Sequence, residues 1–350
     1  MKLITFALLI LPTIFCEDEN IQNDFLEWKN RFNKTYKNVE ETEKAYKNFK
    51  FNKKIIDAGN EKFIKGEAYF HQSLNKFSDQ LLHQRKRAMR GVATVTTGQS
   101  MMSGRSFGPP IKMTILKPGT FESAPLVWDW RRHNGVTPVK DQGYFCSGCW
   151  AFSGLGALES QYKKNYGKEY NFSEQQLIDC NRHEITGNWG CDGGNQASAY
   201  NYIGINGIEL AETYPYKEEL PHDDAYSCGF NSSRAVGQLS GYYRIRPGNE
   251  TFLKEVVYYY GPVSFAFNGL LPTFAYYESG IYDDPNCVDG LSHSALIVGF
   301  GRVNIGGRII DYWICKNSWS TDWGEDGYFK MVMGKNMCGL TRYLIAPKID

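Results

Sequence analysis

The sequence has almost no net charge, and it has no apolar stretch that is long enough to cross a membrane. Its 350 residues carry 39 Lys and Arg against 38 Asp and Glu, which leaves a net charge of +1. Nucleic-acid-binding domains usually need a strongly basic face, so we expect no nucleic-acid partner. Hydrophobic residues make up 42% and charged residues 22% of the chain, which excludes a disordered protein. The length suits about two domains of ~150 residues each.

One short apolar stretch lies at the N-terminus. It follows Lys2 and ends near Cys16, just before an acidic Glu-Asp-Glu run. A membrane helix needs ~20 apolar residues, whereas a basic start, a short apolar stretch and a small residue at its end indicate a signal peptide. We therefore expect residues 1–16 to be removed rather than to form a buried strand. We expect the protein to enter the secretory pathway and to reach the lysosome or the outside of the cell. We also expect no membrane span and a monomeric protein.

Cysteine is absent from residues 17–145, and the eight cysteines after Cys16 all follow that stretch. The secretory route makes disulfides expected. Charge divides in the same way, since residues 17–123 hold 19 basic and 13 acidic side chains and residues 124–350 hold 19 and 25. The two parts should attract each other. Four N-x-S/T sequons predict possible glycosylation: Asn33, Asn171, Asn231 and Asn249.

The first part has the periodicity of helices. Four aromatic residues recur at spacings of 3, 4 and 4, which predicts one helix face: Phe25, Trp28, Phe32 and Tyr36. A second predicted helix runs from Glu41 to Phe63, with Phe49 and Ile56 on one stripe. Residues 85–90 are a basic run, and residues 91–123 are rich in Gly, Thr, Ser and Pro. Such composition predicts an extended linker, where proteases cut.

The second part changes from helical to strand patterns along its length. A buried helix is predicted from Cys149, and Ser173 is the expected N-cap of another. After about residue 235, short apolar runs between Gly and Pro predict strands: Gly261–Phe267, Ser294–Phe300, Tyr312–Lys316 and Tyr328–Val332. A helical half followed by a strand-rich half indicates an α+β protein with a cleft between its halves.

Cys149 is the first candidate for chemistry. It follows Gly148 at the start of the predicted helix, where free backbone N–H groups and the helix dipole favour a thiolate. His293 precedes an apolar strand and would form a nucleophile pair with this thiol, and Asn317 would fix the imidazole tautomer. From spacing alone, a Cys146–Cys149 bridge and a core role for His293 remain open alternatives.

The motifs around these residues resemble papain-type cysteine proteases. They occur in the family's order over essentially all of residues 124–350: VTPVKDQGYFCSGCWAFS, SEQQLIDC, GCDGGN, SHSALIVGFG and KNSWSTDWGEDGYF. Upstream residues are similar to the cathepsin L-like inhibitory prosegment. Its helix motif corresponds to Glu41, Ala45, Phe49, Asn52, Ile56 and Asn60, and its second motif to Ser73, Asn75, Phe77 and Asp79. Ala45 replaces an arginine and Ser73 a glycine, and the stretch after Asp79 is longer than the family usually has.

The resemblance implies a papain-like fold with a helical lobe and a β-barrel-like lobe, preceded by a helical propeptide. The implied division is a signal peptide (1–16), an inhibitory propeptide (17–123) and a peptidase domain (124–350). The implied activity is a cysteine endopeptidase made as a zymogen, acting on protein and peptide substrates and inhibited by its own propeptide. No metal or organic cofactor is implied. The alternative is a catalytically weakened homologue that acts as a binding or regulatory protein.

The resemblance also implies individual roles. Cys149 would be the nucleophile and form a thioester acyl-enzyme, and His293 would hold its thiolate as an ion pair and then protonate the leaving amine. Asn317 would orient the imidazole, and Gln142 would donate to the oxyanion. The implied substrate-binding residues are Gly193, Gly194, Gln196, Leu291, Trp319 and Tyr343, with Trp319 shielding the catalytic pair and Tyr343 making the main pocket shallow. The implied disulfides are Cys146–Cys191, Cys180–Cys228 and Cys287–Cys338, which leaves Cys315 as a buried thiol.

Two departures lie next to the nucleophile. The family has six positions from the glutamine to the cysteine, whereas Gln142 and Cys149 are seven apart because of an extra residue at Tyr144-Phe145. The inner pair is Ser147-Gly148 rather than Gly-Ser. The extra residue would either move Gln142 out of the oxyanion hole or be absorbed as a bulge.

Overall fold

The computed structural model describes residues 20–81, 111–182, 187–217 and 227–350. Three sequence predictions lie outside these ranges. They are the signal peptide 1–16 with Cys16, the basic run 85–90, and the linker up to residue 110.

Two helices make up most of the described N-terminal part. The first, α1, covers residues 20–31, and the second, α2, covers Val39–Ile64 with Asn38 as its N-cap. The predicted helix face was too long, because Phe32 and Tyr36 lie beyond the end of α1. Asn33 adopts a left-handed conformation with φ of 49°, which ends the helix. Both aromatic residues still pack against the cluster that α1 and α2 share: Ile21, Phe25, Trp28, Ala45 and Phe49.

The described residues of the second part form five α-helices. Their bounds are Cys149–Tyr166 (α3), Glu174–Cys180 (α4), Gln196–Asn206 (α5), Glu250–Tyr259 (α6) and Pro272–Ala275 (α7). Short 3-10 helices cover Trp130–His133, Gly190–Asp192, Ser232–Arg234 and Met337–Gly339. Ser173 caps α4 as predicted, since its side chain accepts from the Gln176 N–H. The strand-only prediction after residue 235 missed α6, whose N-cap is Asn249.

Within the described ranges, ten strands join into one sheet. Their bounds are Phe70–Gln72 (β1), Lys112–Leu116 (β2), Trp128–Asp129 (β3), Gly241–Ile245 (β4), Val263–Phe267 (β5), Tyr277–Tyr282 (β6), His293–Ile305 (β7), Arg308–Lys316 (β8), Tyr328–Val332 (β9) and Tyr343–Lys348 (β10). The order across the sheet is β1-β6-β9-β8-β7-β5-β10-β4-β2, and β3 pairs with β7. The predicted strands correspond to β5, β7, β8 and β9, although β7 and β8 are longer than their apolar runs.

The two outer positions of this strand order belong to the N-terminal part. β1 pairs with β6 in antiparallel orientation, and β2 pairs with β4 in parallel orientation. The sequence analysis predicted neither strand, because each is short and its pairing partner lies far away in the chain. Residues assigned to the propeptide therefore cover both edges of the sheet.

Two hydrophobic cores lie on either side of α3. One gathers side chains of β5 to β9 around Trp313 and Phe265. The other packs α3, α4 and α5 against β4 and β10 through residues such as Trp150 and Tyr200. This arrangement confirms the α+β fold with a helical lobe and a β lobe. It also brings the first residue of α3 next to the start of β7.

Candidate active site

Cys149 is the first residue of α3, and its thiol is free and completely buried. The nearby Cys146 is bonded to Cys191 instead, so the alternative of a Cys146–Cys149 bridge does not occur. The structure contains three disulfides, which are the pairs that the resemblance implies: Cys146–Cys191, Cys180–Cys228 and Cys287–Cys338. Cys315 is the second free thiol among the described residues and is also buried.

His293 and Asn317 come together because β7 and β8 are antiparallel neighbours. β7 begins at His293 and β8 ends at Lys316, one residue before Asn317. His293 Nε2 lies 2.8 Å from Asn317 Oδ1. With the amide oxygen as acceptor, the proton sits on Nε2, and Nδ1 is the nitrogen left for exchange with another group. The Trp319 indole stacks on the imidazole with 4.6 Å between ring centroids.

The Cys149 thiol meets the β7 strand at the residue after His293. Burial raises the pKa of Cys149 to about 12, although the backbone of Ser294 and the N–H groups of Cys149 and Trp150 act in the opposite direction. The thiolate that the sequence analysis expected at this helix start stays a prediction.

Gln142 is buried and is held at several atoms. Its backbone N–H donates to the Ser318 carbonyl at 2.9 Å, and the Ser318 hydroxyl donates to Gln142 Oε1 at 2.7 Å. Its Nε2 donates to the Cys146 carbonyl at 2.9 Å. The extra residue lies in the turn that follows, where Gly143 has a φ of 72° and the Phe145 side chain is 67% exposed. The loop therefore bulges outward while Gln142 stays anchored.

The two glycines expected to bind substrate backbone are buried in this form. Gly193 has a φ of 114°, which favours glycine, and its carbonyl accepts from the Trp189 N–H at 2.7 Å. A Cβ on Gly194 would lie 2.6 Å from Asn188 Oδ1 and 2.7 Å from the Trp150 ring. Side chains are therefore excluded at both positions.

The residues expected to form the main side-chain pocket lie at the end of the helical core. Tyr343 and Leu291 both belong to this core cluster, and Gln196 is fully buried at the start of α5. The Tyr343 hydroxyl accepts from the Ala197 N–H at 3.3 Å, and the Arg244 guanidinium lies 4.3 Å from the ring centroid. The tyrosine is therefore held at its hydroxyl and on one face of its ring.

The propeptide contacts the catalytic part beside these residues. Phe77 packs edge-on against Trp319 and against Tyr144, with 5.5 Å between ring centroids in both pairs. The Asn75 amide donates to the Ala275 carbonyl at 2.8 Å. Lys76 forms an ion pair of 2.5 Å with Asp141, the residue before Gln142. This segment of the propeptide is thus in contact with both the β lobe and the loop that precedes Cys149.

A buried charge cluster lies behind the site. Glu159 on α3 accepts from Lys140 Nζ at 2.6 Å and from the Thr137 hydroxyl at 2.6 Å, and Glu174 accepts from Lys140 at 2.7 Å. Lys316 donates to the Thr137 hydroxyl at 3.1 Å. Burial lowers the pKa of Lys316 to about 8. The cluster joins α3, α4, the loop before the nucleophile and β8.

Sequence reasoning missed Ser294, Ser318 and the charge cluster. Ser294 and Ser318 directly follow His293 and Asn317, so their adjacency to candidate residues was an available signal. The cluster had no such signal, because Lys140, Glu159 and Glu174 come together only in the folded chain.

Three further expectations concern features outside the cleft. All four sequon asparagines are exposed, so glycosylation stays a prediction that the surface permits. Within the described ranges, no helix is long and apolar enough to cross a membrane. The same ranges contain no group of three or more His, Cys, Asp or Glu side chains placed to hold a metal ion.

Comparison with known proteins gives two family matches. The papain family cysteine protease domain matches residues 124–348, and the cathepsin propeptide inhibitor domain matches residues 25–83. Cathepsin L of Sarcophaga peregrina is 36% identical over 98% of this chain and 97% of its own length. Two structures of digestive procathepsins from the larval midgut of Tenebrio molitor, procathepsin L 3 and procathepsin L2, each align with 94% of this chain. The alignments include 99% of the procathepsin L 3 chain and 100% of the procathepsin L2 chain. The TM-scores are 0.78 and 0.81 and the sequence identities 34% and 30%, respectively.

Proposed function

Because the chain belongs to the papain family of cysteine proteases and carries a cathepsin propeptide inhibitor domain, we propose that Cys149, His293 and Asn317 are its catalytic residues. The protein is a cysteine endopeptidase in its zymogen form. One arrangement supports the residue assignment. The free thiol of Cys149 lies at the first residue of α3, and the His293 imidazole, at the start of β7, is hydrogen-bonded to the Asn317 amide just after β8. A binding or regulatory protein without activity gains no support from the comparisons.

Acylation begins with the thiol of Cys149. His293 Nδ1 takes the thiol proton, and the sulfur attacks the scissile carbonyl carbon. The protonated imidazole then gives this proton to the leaving amine as the C–N bond breaks, and a thioester remains on Cys149. Asn317 keeps the ring in the required tautomer through the 2.8 Å bond to Nε2. Trp319 covers this bond from water, because its indole lies on the imidazole face and is almost completely buried.

The tetrahedral oxyanion would be stabilised by two donors. One is an N–H of the Gln142 amide, whose nitrogen has a second hydrogen besides the one given to Cys146. The other is the backbone N–H of Cys149. A donor of this kind contributes ~3 kcal/mol to the barrier reduction. Deacylation reverses the proton path: His293 takes a proton from water, hydroxide attacks the thioester carbon, and the thiol is restored with release of the acid.

The organisation of the zymogen is part of the proposal. Residues 1–16 are a signal peptide, residues 17–123 precede the protease domain as an inhibitory propeptide, and residues 124–350 form the peptidase. The mature enzyme is a monomer without a cofactor, delivered through the secretory pathway to the lysosome or the extracellular space. The glycosylation sites are the exposed sequons, of which Asn33 lies in the propeptide and Asn171, Asn231 and Asn249 lie in the peptidase domain.

Substrate selection is proposed to depend on the pocket near Gln196, Leu291 and Tyr343. The fixed tyrosine ring closes the end of the pocket, so medium aliphatic side chains should be preferred over arginine. Gly193 and Gly194 would then pair with the extended substrate backbone once the propeptide has left.

Hydrolysis by the acid-activated protein tests the assignment. Cys149→Ala should abolish cleavage of a fluorogenic peptide, whereas Cys315→Ala, at the other buried free thiol, should keep most of it. A processed wild-type protein that binds peptides without cleaving them would refute the proposal and favour the binding protein.

A further inference from the structure

The far edge of the sheet carries a contact that is separate from the cleft. β2 lies at the opposite end of the strand order from β1, and it pairs with β4 through five residue pairs from Lys112↔Gly241 to Leu116↔Ile245. The Arg246 N–H also donates to the Leu116 carbonyl at 3.4 Å. All these partners belong to the catalytic part. The strand is therefore docked on the domain that follows it in the chain.

Two glycines of the catalytic part leave room for this strand. A Cβ on Gly204 would lie 2.3 Å from Ile111 Cγ2, and a Cβ on Gly241 would lie 2.4 Å from the Lys112 carbonyl oxygen. Both distances are far below van der Waals contact, so a side chain at Gly241 would push the strand backbone away, and a side chain at Gly204, in α5, would displace Ile111 just before the strand. The β4 edge is thus shaped for close approach by another backbone.

Side chains at the ends of the segment add apolar contacts. Leu116 is only 8% exposed and belongs to the core of the β lobe, whereas its neighbour Ile115 is 54% exposed. Phe121 stacks on Tyr259 with 5.3 Å between ring centroids and an interplanar angle of 10°. Residues 122–127, between Phe121 and Trp128, are mostly exposed. Exposed segments of this kind are where a protease can cut.

We propose that the β4 edge is a strand-accepting surface whose partner is residues 111–121, and that it holds the propeptide on the enzyme after a cut within residues 122–127. This inference rests on the proposed zymogen organisation. While the chain is intact, covalent continuity keeps the strand at its site. After the cut, the fragment is held by β1 at one edge of the sheet and β2 at the other. Two linked contacts release a fragment more slowly than one, because either contact can re-form while the other holds.

The test follows release of the fragment from a full-length chain. The Cys149→Ala protein cannot process itself, so residues 122–127 are replaced by the recognition sequence of a specific protease, and the chain is immobilised through its C-terminus. Dissociation of the N-terminal fragment after the cut is then followed on a biosensor. The assay needs no peptidase activity, so its failure is distinct from failure of the proposed function.

Three variants separate the β2 contact from the rest. Leu116→Asp puts a charge at the buried position and should release the fragment at least about tenfold faster, since burial of a leucine contributes that much or more. Ile115→Asp makes the same change at the exposed neighbour and should stay within about twofold of the parent. Gly241→Ala acts from the catalytic side and should also speed release. Equal rates for Leu116→Asp and Ile115→Asp, or for Gly241→Ala and the parent, would overturn the proposal. If Leu116→Asp does not fold, Gly241→Ala decides.

Discussion

Ser318 holds Gln142 at two points, because its carbonyl accepts from the Gln142 backbone N–H and its hydroxyl donates to the side-chain oxygen. The residue that follows Asn317 thus fixes the side chain of the proposed oxyanion donor. The third anchor of Gln142 is the carbonyl of Cys146, which follows the enlarged turn and is fixed by its disulfide to Cys191. The extra residue therefore lies between two fixed points, and the turn can bulge while the amide keeps its position.

Loop length should matter little to the rate for this reason. Deletion of Phe145 is expected to keep kcat/KM of the activated enzyme within about threefold. Gln142→Ala should lower kcat by about 10²-fold or more, as loss of an oxyanion donor does elsewhere. Steady-state kinetics with one fluorogenic peptide measures both. Equal losses in the two variants would show that the turn, and not Ser318, sets the position of Gln142.

The buried thiol of the zymogen should react slowly until the propeptide leaves. With a pKa raised to about 12, the thiolate is a minor species at neutral pH, and only the thiolate is nucleophilic. Alkylation of Cys149 in the intact zymogen should therefore rise about tenfold per pH unit between pH 7 and 10. In the activated enzyme the donors at the helix start and His293 should make labelling fast even near pH 5.

Mass spectrometry of the labelled peptides measures this difference, with Cys315 as the internal control. Burial raises the pKa of Cys315 as well, and this thiol should stay unlabelled in both forms. A zymogen whose Cys149 labelling reaches a plateau below pH 9 would contradict the expectation.

Ion pairs between the propeptide and the catalytic part should slow activation. Lys76 is nearly buried and pairs at 2.5 Å with Asp141, whose side chain is 43% exposed, so removal of the lysine charge breaks a direct ion pair between the propeptide and the catalytic part. Lys76→Met should speed activation at mildly acidic pH, while the enzyme released is unchanged because Lys76 is not part of it. Lys53→Met changes a lysine whose pairs, Asp24 and Asp57, lie within the propeptide, and serves as the control.

The time course of peptide hydrolysis after a pH drop measures this effect. The same experiment tests whether acid releases the propeptide by weakening attraction between the oppositely charged parts. If the activation rate is the same from neutral to mildly acidic pH, the charge-attraction explanation is wrong. If Lys76→Met and Lys53→Met activate at similar rates, Lys76 does not slow activation.

Local patterns predicted the site better than they predicted its surroundings. The helix starting at Cys149 and the strand starting near His293 follow from capping and periodicity, which depend on neighbours in sequence. The pairing of β1 with β6 and of β2 with β4 depends on residues more than 100 positions apart, and short strands carry little periodic signal. The burial of Ala45 could not be predicted from the motif either. This residue stands where the resembled motif has an arginine, and only the folded helices show that it is buried in the aromatic cluster of the propeptide.

The tyrosine at the proposed pocket should set side-chain preference. Tyr343→Ala removes the ring that is held between Ala197 and Arg244, and it opens space at the end of the pocket. We expect the preferred substrate residue to become larger, with kcat/KM for phenylalanine rising relative to valine by about tenfold. A fluorogenic peptide panel varied at that one position measures the shift. An unchanged ranking, or a wild-type preference for arginine, would contradict the assignment of Tyr343.

The buried lysine next to Asn317 should give the fold a distinct pH dependence. Burial lowers the pKa of Lys316 to about 8, whereas an unfolded chain has the ordinary value of about 10.4. Between these values the unfolded state binds a proton that the folded state does not. The free energy of unfolding contributed by this group therefore rises with pH across that window, by up to about 1.4 kcal/mol per pH unit. Below pH 8 the charged amine is present in both states, and its full burial cost applies.

Lys316→Met removes this contribution, so the variant should lose stability relative to the parent as pH rises from 8 to about 10. Urea unfolding of the Cys149→Ala zymogen at several pH values measures the difference, and the inactive background prevents self-digestion. Thr137→Val removes the hydroxyl that accepts from Lys316 but leaves the amine buried, so its difference from the parent should lack the slope of Lys316→Met. The decisive quantity is the free energy of unfolding of the parent minus that of Lys316→Met, because tyrosines and other shared groups cancel in this difference. If it is constant from pH 7 to 10, Lys316 does not titrate in this window.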